Sequence, residues 1–161
     1  MRTCIVFYSL TGNVKYAAEK AARLLEADTV RIDPVKPYPA RGLAMFFHGG
    51  KDATFGATPE LKEYAFEPVL YDRIVLACPV WAGKIAAPMR TFITENMDAL
   101  KEKETDVLLC FSGGGDDKAM ADLEKLLGDI SIKESVVLTD PKKRPSAENE
   151  KKLADFITLL K

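Results

Sequence analysis

The sequence predicts an α/β fold, a parallel sheet with helices on both faces, and three observations carry the prediction. Apolar runs at residues 4–8, 74–78, 107–111 and 136–138 are strand-sized, rich in Ile, Val, Leu and Phe, and lack polar alternation, as strands buried on both faces do. Segments of helical periodicity separate them, which is the rhythm of βαβ units. Loops carrying glycine and hydroxyl groups follow the runs at 4–8, 74–78 and 107–111, where open parallel sheets usually hold ligands.

Taken in order, the run at 4–8 gives the first strand, and Asn13–Leu25 reads as an alanine-rich helix with Ala17, Ala21, Leu24 and Leu25 on one face. Thr29, Val30, Arg31 and Ile32 alternate in polarity, which places a second strand at a sheet edge. Residues 34–70 mix prolines and glycines with aromatics. An unstructured loop of that length is unusual, so a short helix around residues 41–47 and an ordered cover beyond it are expected. After the third strand, residues 88–100 open with Pro88 before Met89, Phe92 and Ile93, a helix start. Asp116–Leu127 follows three glycines and stacks Met120, Leu123 and Leu127. The last helix begins near Ser146, a good N-cap, and carries Leu153, Phe156, Ile157 and Leu160 at helical offsets.

The chain has 161 residues, 47% of them hydrophobic, which suits a single domain over residues 1–161 with an ordinary core. Its 23 Lys plus Arg against 24 Asp plus Glu leave a net charge of -1, so no global field draws it to nucleic acid or to an anionic membrane. Apolar stretches are strand-sized and Met1 leads directly into the first of them, so a soluble, cytoplasmic protein is expected. Cys4, Cys78 and Cys110 each lie in an apolar run without metal-ligand or CxxC spacing, and read as free buried thiols. Lys142, Lys143 and Arg144 read as a solvated connection.

Among the three loops, the first brings the hydroxyls of Ser9 and Thr11 to a helix whose first turn, Asn13 to Tyr16, contains no acid. The positive helix end is left uncompensated, as an anion site needs. Thr11 or Asn13 acting as a simple helix cap is the competing reading. The third loop leads into a helix that starts with Asp116 and Asp117, whose carboxylates suit the same backbone N–H groups. In the second loop Pro79 stiffens the strand exit, Trp81 sets a flat ring on the rim, and Gly83 permits close backbone approach, which suits a planar ligand. Packing of Trp81 beneath the long preceding segment is the alternative.

Other chemistries lack their residues. A P-loop needs a second glycine followed by Lys and Ser or Thr, and a dinucleotide turn needs three spaced glycines, whereas the first loop has only Gly12. A receiver domain would want acids where Ser9, Leu10, Pro79 and Val80 stand. A phosphatase built on Cys78 would want an arginine where Lys84 stands. His48 is the single histidine and no G-x-S-x-G elbow accompanies it, so it reads as a surface or packing residue.

Together, Ser9-Leu10-Thr11-Gly12-Asn13, Pro79-Val80-Trp81-Ala82-Gly83 and Ser112-Gly113-Gly114-Gly115-Asp116 resemble the three FMN-contacting loops of the flavodoxin family. The resemblance spans essentially the whole chain and implies a flavodoxin-like three-layer α/β/α sandwich, with a five-stranded parallel sheet in order 2-1-3-4-5, in its short-chain form. It implies that Ser9, Leu10, Thr11, Gly12 and Asn13 surround the FMN phosphate, that Trp81 lies against the isoalloxazine ring, and that Ala82 and Gly83 lie near its N5 edge. Pro79 and Val80 lead into that loop. Ser112, Gly113, Gly114 and Gly115 would meet the pyrimidine edge, and Lys84 is the nearest candidate to offset charge on reduced flavin. Val14 departs from the pattern, which commonly has Thr or Ser there, so one hydroxyl donor to the phosphate is missing.

Two further departures bear on activity. Electron-carrying flavodoxins are typically strongly acidic, whereas this chain is nearly neutral. The third loop also lacks the tyrosine that stacks on the outer flavin face in many such carriers. The resemblance therefore implies an FMN-binding redox protein, either an electron carrier or an NAD(P)H-dependent quinone or flavin reductase, with an open face that tilts toward the reductase. Its expected partners are a small-molecule electron donor or acceptor or a redox partner protein, with the chain a monomer or homodimer. The alternative is a flavin-free binding or scaffold module.

Overall fold

The computed structural model describes residues 1–39, 42–114 and 116–161. In chain order the elements are β1 (Thr3–Phe7), α1 (Asn13–Leu25), β2 (Asp28–Arg31), α2 (Gly42–Thr54), β3 (Arg73–Trp81), β4 (Lys84–Ile85), α3 (Ala87–Glu95), α4 (Met97–Leu100), β5 (Glu104–Phe111), α5 (Asp116–Leu127), β6 (Ile132–Thr139) and α6 (Ala147–Leu159). A single 3₁₀ turn, Pro68–Leu70, precedes β3.

The sheet runs β2-β1-β3-β5-β6, all parallel, with β4 paired antiparallel to the end of β3. Counting the parallel strands alone reproduces the order 2-1-3-4-5. Strand periodicity then divides the core in two. Cys4, Val6, Ile74, Leu76, Cys78, Val107 and Leu109 face one layer with Met89, Phe92, Ile93, Leu123 and Leu127 of α3 and α5. Ile5, Phe7, Val75, Ala77, Leu108 and Cys110 face the other, with α1 and α6. Both faces are buried, and so the strands read as unbroken apolar runs. Three layers result, helices on either side of one sheet.

Most helix bounds follow the local signals. Ser146 caps α6 by accepting a hydrogen bond from the Asn149 N–H at 3.1 Å, and Leu153, Phe156, Ile157 and Leu160 are buried. In α1 the buried stripe is Val14, Ala17, Ala18, Ala21 and Ala22, whereas Leu24 is 49% exposed because it sits beyond the edge of that stripe.

Four expectations need correction. A sixth strand exists, because β3 continues through Trp81 and turns back at Ala82 and Gly83 into β4. The helix expected over residues 88–100 is two, α3 and α4. Asn96 breaks it, with its side-chain amide donating to the Phe92 carbonyl at 2.9 Å and to the Tyr64 hydroxyl at 3.0 Å, which satisfies the helix end. Strand β5 begins at Glu104, three residues before its apolar run, since Thr105 and Asp106 are fully buried at a β-bulge where Asp106 accepts the Glu134 N–H. Finally, α2 spans 13 residues, Gly42–Thr54, and is longer than the short helix expected; Arg41 and the side chains of residues 42–47 lie outside the described part. No described helix is long and apolar enough to cross a membrane.

Candidate functional site

The loops after β1, β3 and β5 converge at the carboxyl end of the sheet around a cavity of 370 Å³, within the size of small-molecule sites. Its walls are Ser9, Leu10, Thr11, Asn13 and Val14 from the first loop, Pro79, Val80, Trp81, Ala82 and Gly83 from the second, and Ser112, Gly113 and Gly114 from the third. Gly50 of α2 and the β5 residues Cys110 and Phe111 complete it. Among the described residues no lining side chain carries a charge. Gly12 lies beside rather than in this wall, and Gly115 lies outside the described residues.

The first loop is built from its residues upward. Gly12 holds the N-cap position of α1 in the left-handed region, φ 93°, which glycine adopts without cost. Neither Thr11 nor Asn13 occupies the cap. Buried Ser9 instead uses its Oγ to accept the Lys15 N–H at 3.1 Å, which leaves its own hydrogen for an acceptor. No acid stands in the first turn. Val14, almost fully buried, packs with the α1 face of the core, and its side chain brings no polar atom to the cavity.

Asn13 serves another purpose. Its Nδ2 donates to Asp140 Oδ1 at 2.9 Å, and its Oδ1 accepts the N–H groups of Lys142 and Lys143 at 3.1 and 3.2 Å. Asp140, just past β6, is 2% exposed and has φ 44°; it also accepts the Ser112 hydroxyl at 2.6 Å. One carboxylate thus ties the first and third loops together.

The second loop is a two-residue hairpin with Ala82 (φ 50°) and Gly83 (φ 71°) both left-handed, as a type I′ turn requires. Ala82 carries a strain of about 1–2 kcal/mol there. The turn fixes Trp81 between Tyr8 and Tyr38, whose rings meet it edge-on at centroid distances of 5.6 and 4.9 Å. On another side a β carbon at Gly49 would come within 3.2 Å of the indole, tighter than side chains ordinarily pack, so glycine there lets α2 lie close against the ring. Trp81 therefore does both things considered for it, packing beneath the segment before β3 and forming a cavity wall. Lys84 lies outside the wall, and its Nζ pairs with Asp122 at 2.9 Å, which Arg90 also grips.

In the third loop Gly113 and Gly114 are exposed, and among the described residues a β carbon on either would meet nothing within 4 Å. No described residue covers that side of the cavity. Burial pushes the Cys78 thiol up to about 12 and raises Cys110 as well, which disfavours the thiolate at both. His48 is exposed and is not among the wall residues.

Sequence reasoning missed Gly50, Cys110, Phe111 and, above all, Asp140 and Lys142. The side chain of Lys142 lies along Gly12: a β carbon there would be 3.1 Å from its Nζ. Nothing local in the sequence signals this contact, since the two segments meet only through the fold.

No protein-family model matches the sequence, and no curated protein sequence matches it significantly. Solved structures do match. A flavoprotein of Lactobacillus acidophilus, determined in complex with FMN, superposes with a TM-score of 0.74 at 19% identity, over 88% of this chain and 95% of that one. A provisionally assigned flavoprotein of Bacteroides eggerthii gives 0.77 at 21% identity, over 98% and 96%. The two-electron reduced flavodoxin of Megasphaera elsdenii gives 0.58 at 17% identity, over 98% of each chain. These likenesses show that the chain has the flavodoxin-like fold.

Proposed function

We propose that the protein binds FMN in the cavity at the carboxyl end of the sheet and works as a redox protein through it. One observation supports this reading best. A single cavity joins an acid-free helix start, ringed by backbone N–H groups and the Ser9 and Thr11 hydroxyls, to a flat indole wall. A phosphate suits the first and a planar ring the second. The solved flavoprotein of Lactobacillus acidophilus with the same fold was determined with FMN.

Bound FMN would supply electron or hydride transfer at its ring system, and the protein would supply orientation and electrostatics. Ser9, fixed by the Lys15 N–H, offers its hydroxyl to the phosphate. Trp81, packed against Tyr8, Tyr38 and Gly49, offers a surface for the ring. Backbone groups of Ser112, Gly113 and Gly114 border the opposite side. Lys84 already has a carboxylate partner, so we assign it no charge-offsetting role toward the ring.

The side at Gly113 and Gly114, which no described residue covers, favours a small planar donor or acceptor, such as a nicotinamide or a quinone, and hence an oxidoreductase over a pure carrier. The test is direct. Purified protein is expected to show a flavin spectrum and to release FMN on denaturation; colourless protein that does not bind added FMN overturns the reading and leaves a flavin-free module. Steady NAD(P)H oxidation in the presence of a quinone then identifies the reductase. Inertness toward NAD(P)H, with rapid reduction by a separate reductase, identifies the carrier.

A further inference from the structure

The cradle formed by the first loop contains no charged side chain, yet a cation stands beside it. A β carbon at Gly12 would meet Lys142 Nζ at 3.1 Å, Cδ at 3.4 Å and Cε at 3.8 Å, so the lysine stem lies on the glycine and the ammonium sits at the start of α1. Its backbone is not loosely placed. Asn13 Oδ1 accepts the Lys142 and Lys143 N–H groups, and buried Asp140 holds Asn13 from the other side. Among the described residues Lys142 takes part in no ion pair. The neighbouring cations differ: Lys15 pairs with Glu19 at 3.6 Å, and Arg144 faces Asp140 at 3.5 Å.

Lys142 is exposed, so water and salt screen its repulsion from the positive end of α1, and an anion placed there would meet both. The local donors also leave room for one. The Val14 side chain brings no polar atom, and the Asn13 amide is committed to Asp140 and to the loop after β6.

We propose that Lys142 is the charge anchor of the site. Its ammonium binds the phosphate of FMN at the start of α1, so that discrimination between phosphorylated and unphosphorylated flavin comes from the loop between β6 and α6 as well as from the first loop. The inference rests on the FMN reading above. A charge-assisted hydrogen bond of this kind is roughly twice as strong as a neutral one and weakens with salt.

The test is a fluorescence titration of the flavin-free full chain with FMN and with riboflavin, at low and high salt, for the wild type, Lys142→Gln and Lys142→Arg. The Gln variant is expected to lose on the order of tenfold in FMN affinity, keep its riboflavin affinity, and show a shallower salt dependence. Arg is expected to restore most of the FMN affinity. Unfolding midpoints report whether each variant is folded. An unchanged FMN affinity in the Gln variant, or equal losses for FMN and riboflavin, overturns the assignment while leaving FMN binding itself intact. A wild-type protein that binds neither flavin overturns the FMN reading and this proposal with it.

Discussion

Asp106 and Asp140 are both buried, at 0% and 2% exposure, yet they stand at opposite ends of the sheet and answer to different partners. Asp106, near the amino end of β5, faces charge. Arg73 Nε lies 3.1 Å from its Oδ2, and the same guanidinium pairs with Glu104 at 2.8 Å and donates to the Leu160 carbonyl. The contact with Asp106 is close but not aligned as a hydrogen bond. Asp140, past the carboxyl end of β6, accepts from two neutral groups, Asn13 and Ser112, which belong to two different walls of the cavity, and the only cation paired with it among the described residues is the exposed Arg144 at 3.5 Å. The first cluster closes an edge of the protein on itself. The second holds a site in shape, and it is the identity of the partners, rather than burial of charge, that distinguishes them.

The largest expected effect lies at the amino end. Arg73→Ala leaves Asp106 buried without its cation and is expected to cost about 3–5 kcal/mol in urea unfolding, with FMN affinity of the folded protein unchanged. A matching loss of FMN affinity would break the division between the two ends. Asp140→Ala comes next. It removes the acceptor of two donors and places alanine at φ 44°, so about 2 kcal/mol of stability should go, together with on the order of tenfold in FMN affinity. Stability loss with FMN affinity intact would demote Asp140 to the role of Asp106.

The smallest effect is in pH dependence. Burial raises the Asp106 carboxyl above the ordinary carboxylate range, against the pull of the Glu134 N–H and Arg73. A folded value above the unfolded one, which is about 3.9, means that Asp106 contributes fully below that pH and loses its contribution as pH rises through the folded value. Asp106→Asn has no such titration. The stability of the wild type relative to the variant should therefore fall as pH rises from about 4 toward neutral, as urea curves at several pH values will record. A rising difference would mean that Arg73 outweighs burial.

The fold was legible where one residue's environment depends on its sequence neighbours. Unbroken apolar runs marked both-face burial at β1, β3 and β5, and the alternation of residues 29–32 marked the edge strand, β2. It was less legible where a polar residue is satisfied from far away. Asp106 sits in a buried strand because Arg73 and Glu134 meet it there, and Asn96 breaks a helix with the help of Tyr64. The turn at Ala82 hid because alanine is a poor signal for a left-handed residue. For the site, the three loops announced themselves through glycine, hydroxyl and indole. The fourth contributor did not: Lys142 reaches Gly12, and its N–H reaches Asn13, across 129 residues of chain, and the run Lys142-Lys143-Arg144 looks like any solvated turn. That contact exists only because β1 and β6 run parallel in one sheet, which brings their carboxyl ends to the same end of it.

Trp81 has one more consequence. It is the single tryptophan of the chain, and it sits in the cavity wall with Tyr8 and Tyr38 against it. Its ultraviolet emission, including light harvested by the two tyrosines, therefore originates at one place in the molecule. A flavin entering the cavity would absorb that emission at contact range, so occupancy can be followed without a label through the native glow of a residue the fold already holds still.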